Sequence, residues 1–157
     1  MGKTNGEHES LRGDWVLEEM IKVALEDEVT DREKYRQLAR MAIKERDRKR
    51  IFAIADEEGC HEKILRGLYR ELYGRSAPRV KPPRVKIGSF PDGIRKAIVS
   101  EYEGVGFYRE LLGRLPKELM KDRIRSIIAD EQRHGQILEC ILENRSEERR
   151  VGKECRS

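Results

Sequence analysis

Ile54 to Leu65 reads IADEEGCHEKIL, and Ile127 to Leu138 reads IIADEQRHGQIL. Each stretch contains Glu-x-x-His: Glu58 with His61, and Glu131 with His134. Residues three apart on a helix share a face. Each stretch therefore turns one carboxylate and one imidazole the same way, with apolar residues a turn above and below. Two such helices facing each other form the core of a dinuclear metal site in a four-helix bundle.

The two stretches lie 73 residues apart, and the same offset runs through the chain without a gap. Glu28 maps to Glu101, Tyr35 to Tyr108, Ala24 to Ala97, Leu38 to Leu111 and Ile64 to Ile137. A single Glu-x-x-His is weak in a chain so rich in glutamate. Only 3 histidines occur, however, and apart from His8 they sit at matched positions. A two-helix unit repeated once predicts a pseudo-twofold bundle, its axis passing between the two motifs.

Four apolar seams support this reading. The first helix is expected from about Asp14 to Ile43, with the seam Leu17, Ile21, Ala24, Glu28, Asp31, Tyr35, Leu38, Ala42. The second, about Arg46 to Tyr73, carries Ile51, Ile54, Glu58, His61, Leu65, Leu68, Leu72. The third, about Pro91 to Leu112, carries Ile94, Ala97, Glu101, Gly104, Tyr108, Leu111. The fourth, about Lys117 to Glu143, carries Met120, Ile124, Ile127, Glu131, His134, Leu138, Ile141. Each seam alternates steps of three and four, and is interrupted by polar residues near its middle. Residues 74–93 hold Pro78, Pro82, Pro83 and Pro91, which end a helix and favour an extended path. A connection this long suits a crossover running the length of a bundle, as in ferritin-like folds.

Composition excludes several classes. The chain has 157 residues, 41% of them charged and 37% hydrophobic, as expected for one all-α domain of narrow apolar stripes and wide solvated faces. A β-sandwich does not fit. No run approaches the ~18 apolar residues of a membrane span, and MGKTNGEHES lacks a signal peptide's apolar core. A cytoplasmic location without membrane partners is therefore expected. Cys60, Cys140 and Cys155 form no C-x-x-C pair, which excludes a thiolate zinc ribbon or a rubredoxin-like iron centre. The net charge of +4 is small against 34 basic and 30 acidic residues, so no nucleic-acid partner is expected.

Residues 1–11 read as a disordered N-terminus, and residues 12–144 as the bundle with its crossover at 74–93. Arg145 to Ser157, RSEERRVGKECRS, resembles the translation of a DNA-sequencing adapter. It is expected to be a non-native tail and takes no part in the site.

Four carboxylates and two imidazoles in the middle of apolar seams are costly if left uncompensated. Burial and mutual repulsion both oppose carboxylate ionisation. Two divalent cations balance four carboxylates and turn the six side chains into a neutral core. Glu58 and Glu131, nearest the axis, are expected to bridge both metals. His61 and His134 are expected to bind one metal each, and Glu28 and Glu101 to cap one each from the outer helices. Oxygen and nitrogen donors without thiolate suit iron, with manganese as an alternative.

Tyr35 and Tyr108 lie two turns beyond the capping glutamates. Their hydroxyls are expected to hydrogen-bond site carboxylates, against an alternative of plain packing. Asp31 breaks the symmetry, since its matched position is Gly104. It reads equally as an alternate ligand, an acceptor for an imidazole N–H, or a rim residue facing solvent. Cys60 reads as a small buried residue. Glu26, Glu57 and Glu103 have the wrong helical phase for the site and read as solvated or ion-paired.

ALEDEVTDREKYRQLA and AIVSEYEGVGFYRELL resemble the outer helices of rubrerythrin-like proteins, and IADEEGCHEKIL and IIADEQRHGQIL resemble their paired Glu-x-x-His helices. The likeness spans about residues 16–143 and fills all six ligand positions. It implies a ferritin-like, usually dimeric, di-iron carboxylate protein that reacts with hydrogen peroxide or dioxygen. The C-x-x-C domain of full-length rubrerythrins is absent, so electrons are expected from a separate donor protein. The family's extra glutamate, one turn after the third-helix ligand, is Gly104 here. The competing functions are a ferroxidase or iron-storage protein and a metal-dependent regulatory module.

Overall fold

The computed structural model describes the backbone of residues 5–154 and the side chains of residues 15–145. Four helices account for nearly all of it: α1 Asn5–Met41, α2 Glu45–Tyr73, α3 Phe90–Arg114 and α4 Glu118–Glu154. No strand occurs among the described residues. The fold is the all-α four-helix bundle that the seams predict.

Local chemistry sets the breaks. Gly74 ends α2 in the left-handed region at φ 66°, where its N–H donates to the Arg70 carbonyl. The Ser89 side chain caps α3 by accepting from the Asp92 amide, and Pro91 occupies the first turn, where its missing N–H costs nothing. Residues 76–87 between these caps contain no helix or strand. The first helix starts earlier than its apolar seam, at Asn5, and stops at Met41. The fourth continues past Glu143 to Glu154, because the charged sequence beyond contains no proline to end it. Residues 1–4 and 155–157 lie outside the described residues, as do the side chains of 146–154.

Helix directions follow from pairs that cross the bundle. Tyr35 of α1 meets Glu101 of α3, while Glu28 of α1 meets Tyr108 of α3, so α1 and α3 are antiparallel. His61 of α2 meets Asp130 of α4, while Glu57 meets His134, so α2 and α4 are antiparallel too. The short turns make α1/α2 and α3/α4 antiparallel hairpins, which pack most extensively. The second and third helices must then run parallel on a diagonal, and the 74–89 strap carries the chain from one end of the bundle to the other.

The interior is divided. One apolar cluster, including Leu17, Ile21, Leu68, Leu111 and Ile124, fills the end near the start of α1. A second, including Leu38, Ile51, Ile94 and Ile141, fills the end near the α1–α2 turn. Between them lies a layer of buried Glu and His. Burying both apolar ends provides the folding free energy that offsets the cost of the polar layer.

Candidate metal centre

Glu28 of α1, Glu58 and His61 of α2, Glu101 of α3, and Glu131 and His134 of α4 form this layer. None is more than 6% exposed. They make two groups of four. Glu28, Glu58, His61 and Glu131 form one, and Glu58, Glu101, Glu131 and His134 form the other. Within each group, one donor atom per residue lies within 4.8 Å of the rest. Glu58 and Glu131 belong to both groups, so both could be shared by two ions.

The imidazoles present Nδ1 inward. His61 Nδ1 lies 2.9 Å from Glu58, 3.4 Å from Glu131 and 3.5 Å from Glu28. His134 Nδ1 lies 3.1 Å from Glu58 and 3.4 Å from Glu101. The rings stack with centroids 5.9 Å apart, one on each side of the axis. The Nε2 atoms point out to carboxylates on the opposite helix. Asp130 Oδ2 lies 3.0 Å from His61 Nε2, and Glu57 Oε2 lies 2.5 Å from His134 Nε2. An outward Nε2–H donated to a carboxylate fixes the ring's orientation and leaves Nδ1 as the atom that could bind an ion on losing its proton.

Glu57 is ion-paired with Arg133 and lies outside both groups of four, as its helical phase implies, but it also reaches His134, which phase does not show. Its side chain is turned from the axis of its own helix but reaches the neighbouring antiparallel helix, where the other histidine sits. The signal was present: positions 57 and 130 are matched by the 73-residue offset, and both are acidic. Arg133 completes this outer arrangement. Its Nη2 lies 2.8 Å from Glu57 and 2.8 Å from Asp130, so one guanidinium ties together the outer partners of both histidines. Its matched position is Cys60, which is exposed, contrary to the burial expected from its sequence position.

Both tyrosines reach the site, and each crosses to the other repeat. Tyr35 donates its hydroxyl to Glu101, and Tyr108 donates to Glu28. The exchange is reciprocal, as a pseudo-twofold axis requires. Burial raises both phenols well above their ordinary value, with Glu101 and Glu28 respectively adding to the effect, so both remain protonated donors.

Asp31 joins neither group of four. It pairs with Lys34 at 2.5 Å and is partly exposed. Together with Gly104, Glu28, Tyr108 and Glu131 it lines a cavity of about 330 Å³ on the α1–α3 face. Asp27, Ser100 and Glu103 complete the polar part of its wall. Glu103 and Glu26 are exposed. Gly104, which carries no side chain, leaves room for the cavity opposite Asp31.

The electrostatics are those of a charged cluster held together by its own hydrogen bonds. Burial raises Glu131 to about 8 against the lowering effect of His61. Burial also raises Glu28 well above the carboxylate range and raises Glu101. Glu58 is opposite: burial works to raise it, but the adjacent imidazoles of His134 and His61 outweigh that and hold it low. Burial opposes charge on His134, yet Glu101 and Glu58 lift it to about 11. His61 is lifted further by Glu131, Glu28 and Glu58, again against burial.

Those protons leave the layer incompletely satisfied. Glu58 Oε1, Glu101 Oε2, Glu131 Oε1 and His134 Nδ1 are buried atoms without a hydrogen-bond partner. All four belong to the six-residue cluster. Orphaned inward-facing donor atoms on hard oxygen and imidazole ligands fit divalent metal ions, which would satisfy them all. The two groups can thus hold metal ions.

No protein-family model matches the chain, and no curated protein matches it. It is similar to a solved structure described as a hypothetical protein from Pyrococcus furiosus, with 27% identity and a TM-score of 0.72. The match covers 81% of this chain and 88% of the other. It supports the four-helix architecture. No helix among the described residues is long and apolar enough to cross a membrane.

Proposed function

We propose that the chain is a rubrerythrin-like di-iron carboxylate oxidoreductase that reduces hydrogen peroxide or dioxygen with electrons from a separate donor. The observation that carries this reading is the pair of four-residue groups sharing Glu58 and Glu131, with four orphaned donor atoms turned inward. In it, Glu58 and Glu131 would be shared by the two ions, Glu28 with His61 would hold one, and Glu101 with His134 would hold the other. Iron bound there supplies one-electron redox steps, and peroxide needs two electrons and two protons to become two waters.

The protein's own groups have defined tasks. Asp130 and Glu57 orient the imidazoles through Nε2. Tyr35 and Tyr108 hold protons against Glu101 and Glu28 and limit how far these carboxylates swing. The cavity beside Gly104 admits a small oxidant to the Glu131 side of the cluster. The apolar clusters above and below exclude bulk water. A homodimer in the cytoplasm, working in oxidative-stress defence, completes the proposal.

Stopped-flow mixing of the ferrous-loaded protein with peroxide, and separately with dioxygen, tests it. Oxidation should be much faster than that of free ferrous iron. Equal rates would remove the enzymatic claim. One observation favours a second reading, a ferroxidase or iron-storage role: Asp27, Asp31 and Glu103 make the cavity wall acidic, which suits passage of cations. That reading requires many irons retained per chain and a large shell, so a dimer carrying two ions per chain would exclude it.

A further inference from the structure

We propose that the 74–89 strap is the docking surface for an acidic electron-carrier protein, a small flavin or iron–sulfur protein that reduces the centre from the α1–α2 side. The inference rests on the redox reading of the site. Each encounter moves one electron from the reduced carrier to one ferric ion, so two encounters restore the diferrous state. No bond is made or broken.

Charge is the first argument. Arg75, Arg79, Lys81, Arg84 and Lys86 lie between Gly74 and Ser89 with no acidic residue among them. The whole chain is only +4, so the remainder is nearly balanced. Much of the helical surface mixes signs within a turn, as in Arg95 with Asp92 or Arg125 with Asp122. Arg75 pairs with Glu18 in the same way. Arg79, Lys81, Arg84 and Lys86 are exposed and have no partner among the described residues. A continuous single-sign ribbon on a near-neutral body steers and orients a partner of opposite charge.

Rigidity is the second. Pro78, Pro82 and Pro83 restrict the backbone. Ala77 and Val80 pack against one apolar cluster and Ile87 against the other, and Arg66 donates to the Pro78 carbonyl at 3.2 Å. The strap is thus fastened along its length, and a partner binding it would freeze little extra motion.

Place is the third. Val80 and Pro82 line a small hollow with Val29, Arg32, Glu33, Arg36 and Glu62. Val29 adjoins Glu28 and Glu62 adjoins His61 in sequence, so the middle of the strap crosses the bundle at the level of that metal group. About one helix diameter, ~10 Å, separates surface from site. Arg32 pairs there with Glu62 at 3.8 Å, so the hollow is close to neutral and the positive charge lies on the strap itself. No aromatic residue lies between Gly74 and Ser89 to stack on bases, which favours a protein partner over a single-stranded nucleic acid.

The test uses the full iron-loaded chain and the triple variant Arg79→Glu, Lys81→Glu, Arg84→Glu, with reduced flavodoxin as the acidic carrier and dithionite as a reductant too small to dock. Reduction by flavodoxin should fall at least about tenfold in the variant and should fall with salt in the wild type, whereas dithionite should reduce both alike. Oxidised flavodoxin should also bind the variant about tenfold more weakly in an equilibrium titration. Equal flavodoxin rates in the two proteins, or a wild-type rate indifferent to salt, would overturn the docking surface while leaving the metal reading intact. A centre that neither reductant reduces would overturn both. Tighter binding of a single-stranded oligonucleotide than of flavodoxin at about 0.15 M salt would reassign the strap to nucleic acid.

Discussion

Gly104 stands directly against Glu131: a Cβ at position 104 would lie 2.6 Å from Glu131 Oε2. Glycine in the middle of α3 costs about 1 kcal/mol relative to alanine in helix stability. Gly104→Ala should therefore stabilise the metal-free protein or leave it unchanged. The same methyl group must displace the Glu131 carboxylate, which belongs to both ligand groups, so metal affinity should fall about tenfold. Thermal melts of the metal-free variant and titration against a competing chelator measure the two effects separately. Lower stability with unchanged affinity would show that the α3 backbone, not Glu131, absorbs the contact.

The reciprocal tyrosines make a paired prediction. Tyr35→Phe removes the hydroxyl that donates to Glu101, and Tyr108→Phe removes the one that donates to Glu28. Each leaves a buried carboxylate oxygen short of a donor, at a cost of about 1–3 kcal/mol. The two variants should weaken metal binding to a similar extent, because the pseudo-twofold places them equivalently. Calorimetric titration of both single variants with the same ion is the check. A large effect from one and none from the other would break the symmetry.

Helix number, order and seams were legible because apolar spacing of three and four, Pro-rich and Gly-marked breaks and the 73-residue repeat all agree. The six clustered residues were legible for the same reason: each sits on a seam, where helical phase alone carries it inward. Glu57, Asp130 and Arg133 were not, because they are off-seam and reach the site across a helix–helix contact. Phase describes one helix, whereas His134 takes its outer partner from α2 and His61 takes its own from α4. Cys60 failed similarly: a small side chain beside a ligand suggests burial, but the outer surface passes through that position.

Protonation and metal loading should oppose each other with pH. In the metal-free fold Glu131 stands at about 8, above its ordinary 4.5, and His134 at about 11, above 6.5. Both are raised, so their stabilising contribution is complete below the ordinary values and is lost as pH rises. For Glu131 the loss runs from 4.5 to about 8, and for His134 from 6.5 to about 11. Glu58, held low, acts in the opposite sense: its contribution is present above 4.5 and is lost as pH falls. Metal-free protein should therefore melt at lower temperature as pH rises from neutrality, while metal must expel bound protons and should bind more tightly over the same range. Melts with and without metal across this range, with proton release followed by indicator dye, would show the opposed slopes. Parallel slopes would mean that the cluster is already deprotonated without metal.

Arg133 gives the sharpest distinction between holding the fold and holding the metal. Its guanidinium is 48% exposed, so its ion pairs with Glu57 and Asp130 should add less than about 1 kcal/mol to stability. Its influence on the site is different in kind. Glu57 and Asp130 each fix one imidazole through Nε2, and Arg133 fixes both carboxylates at once. Arg133→Gln should leave the melting temperature of the metal-free protein nearly unchanged but lower affinity for both ions by about tenfold or more. Cys60→Ala, at the matched position of the repeat, has no such carboxylates to release and should leave affinity unaltered. Cobalt titration followed by visible absorbance, against a competing chelator, reads the two binding steps individually. Loss confined to one step would mean that the arginine supports a single histidine and that the two halves of the centre are held independently.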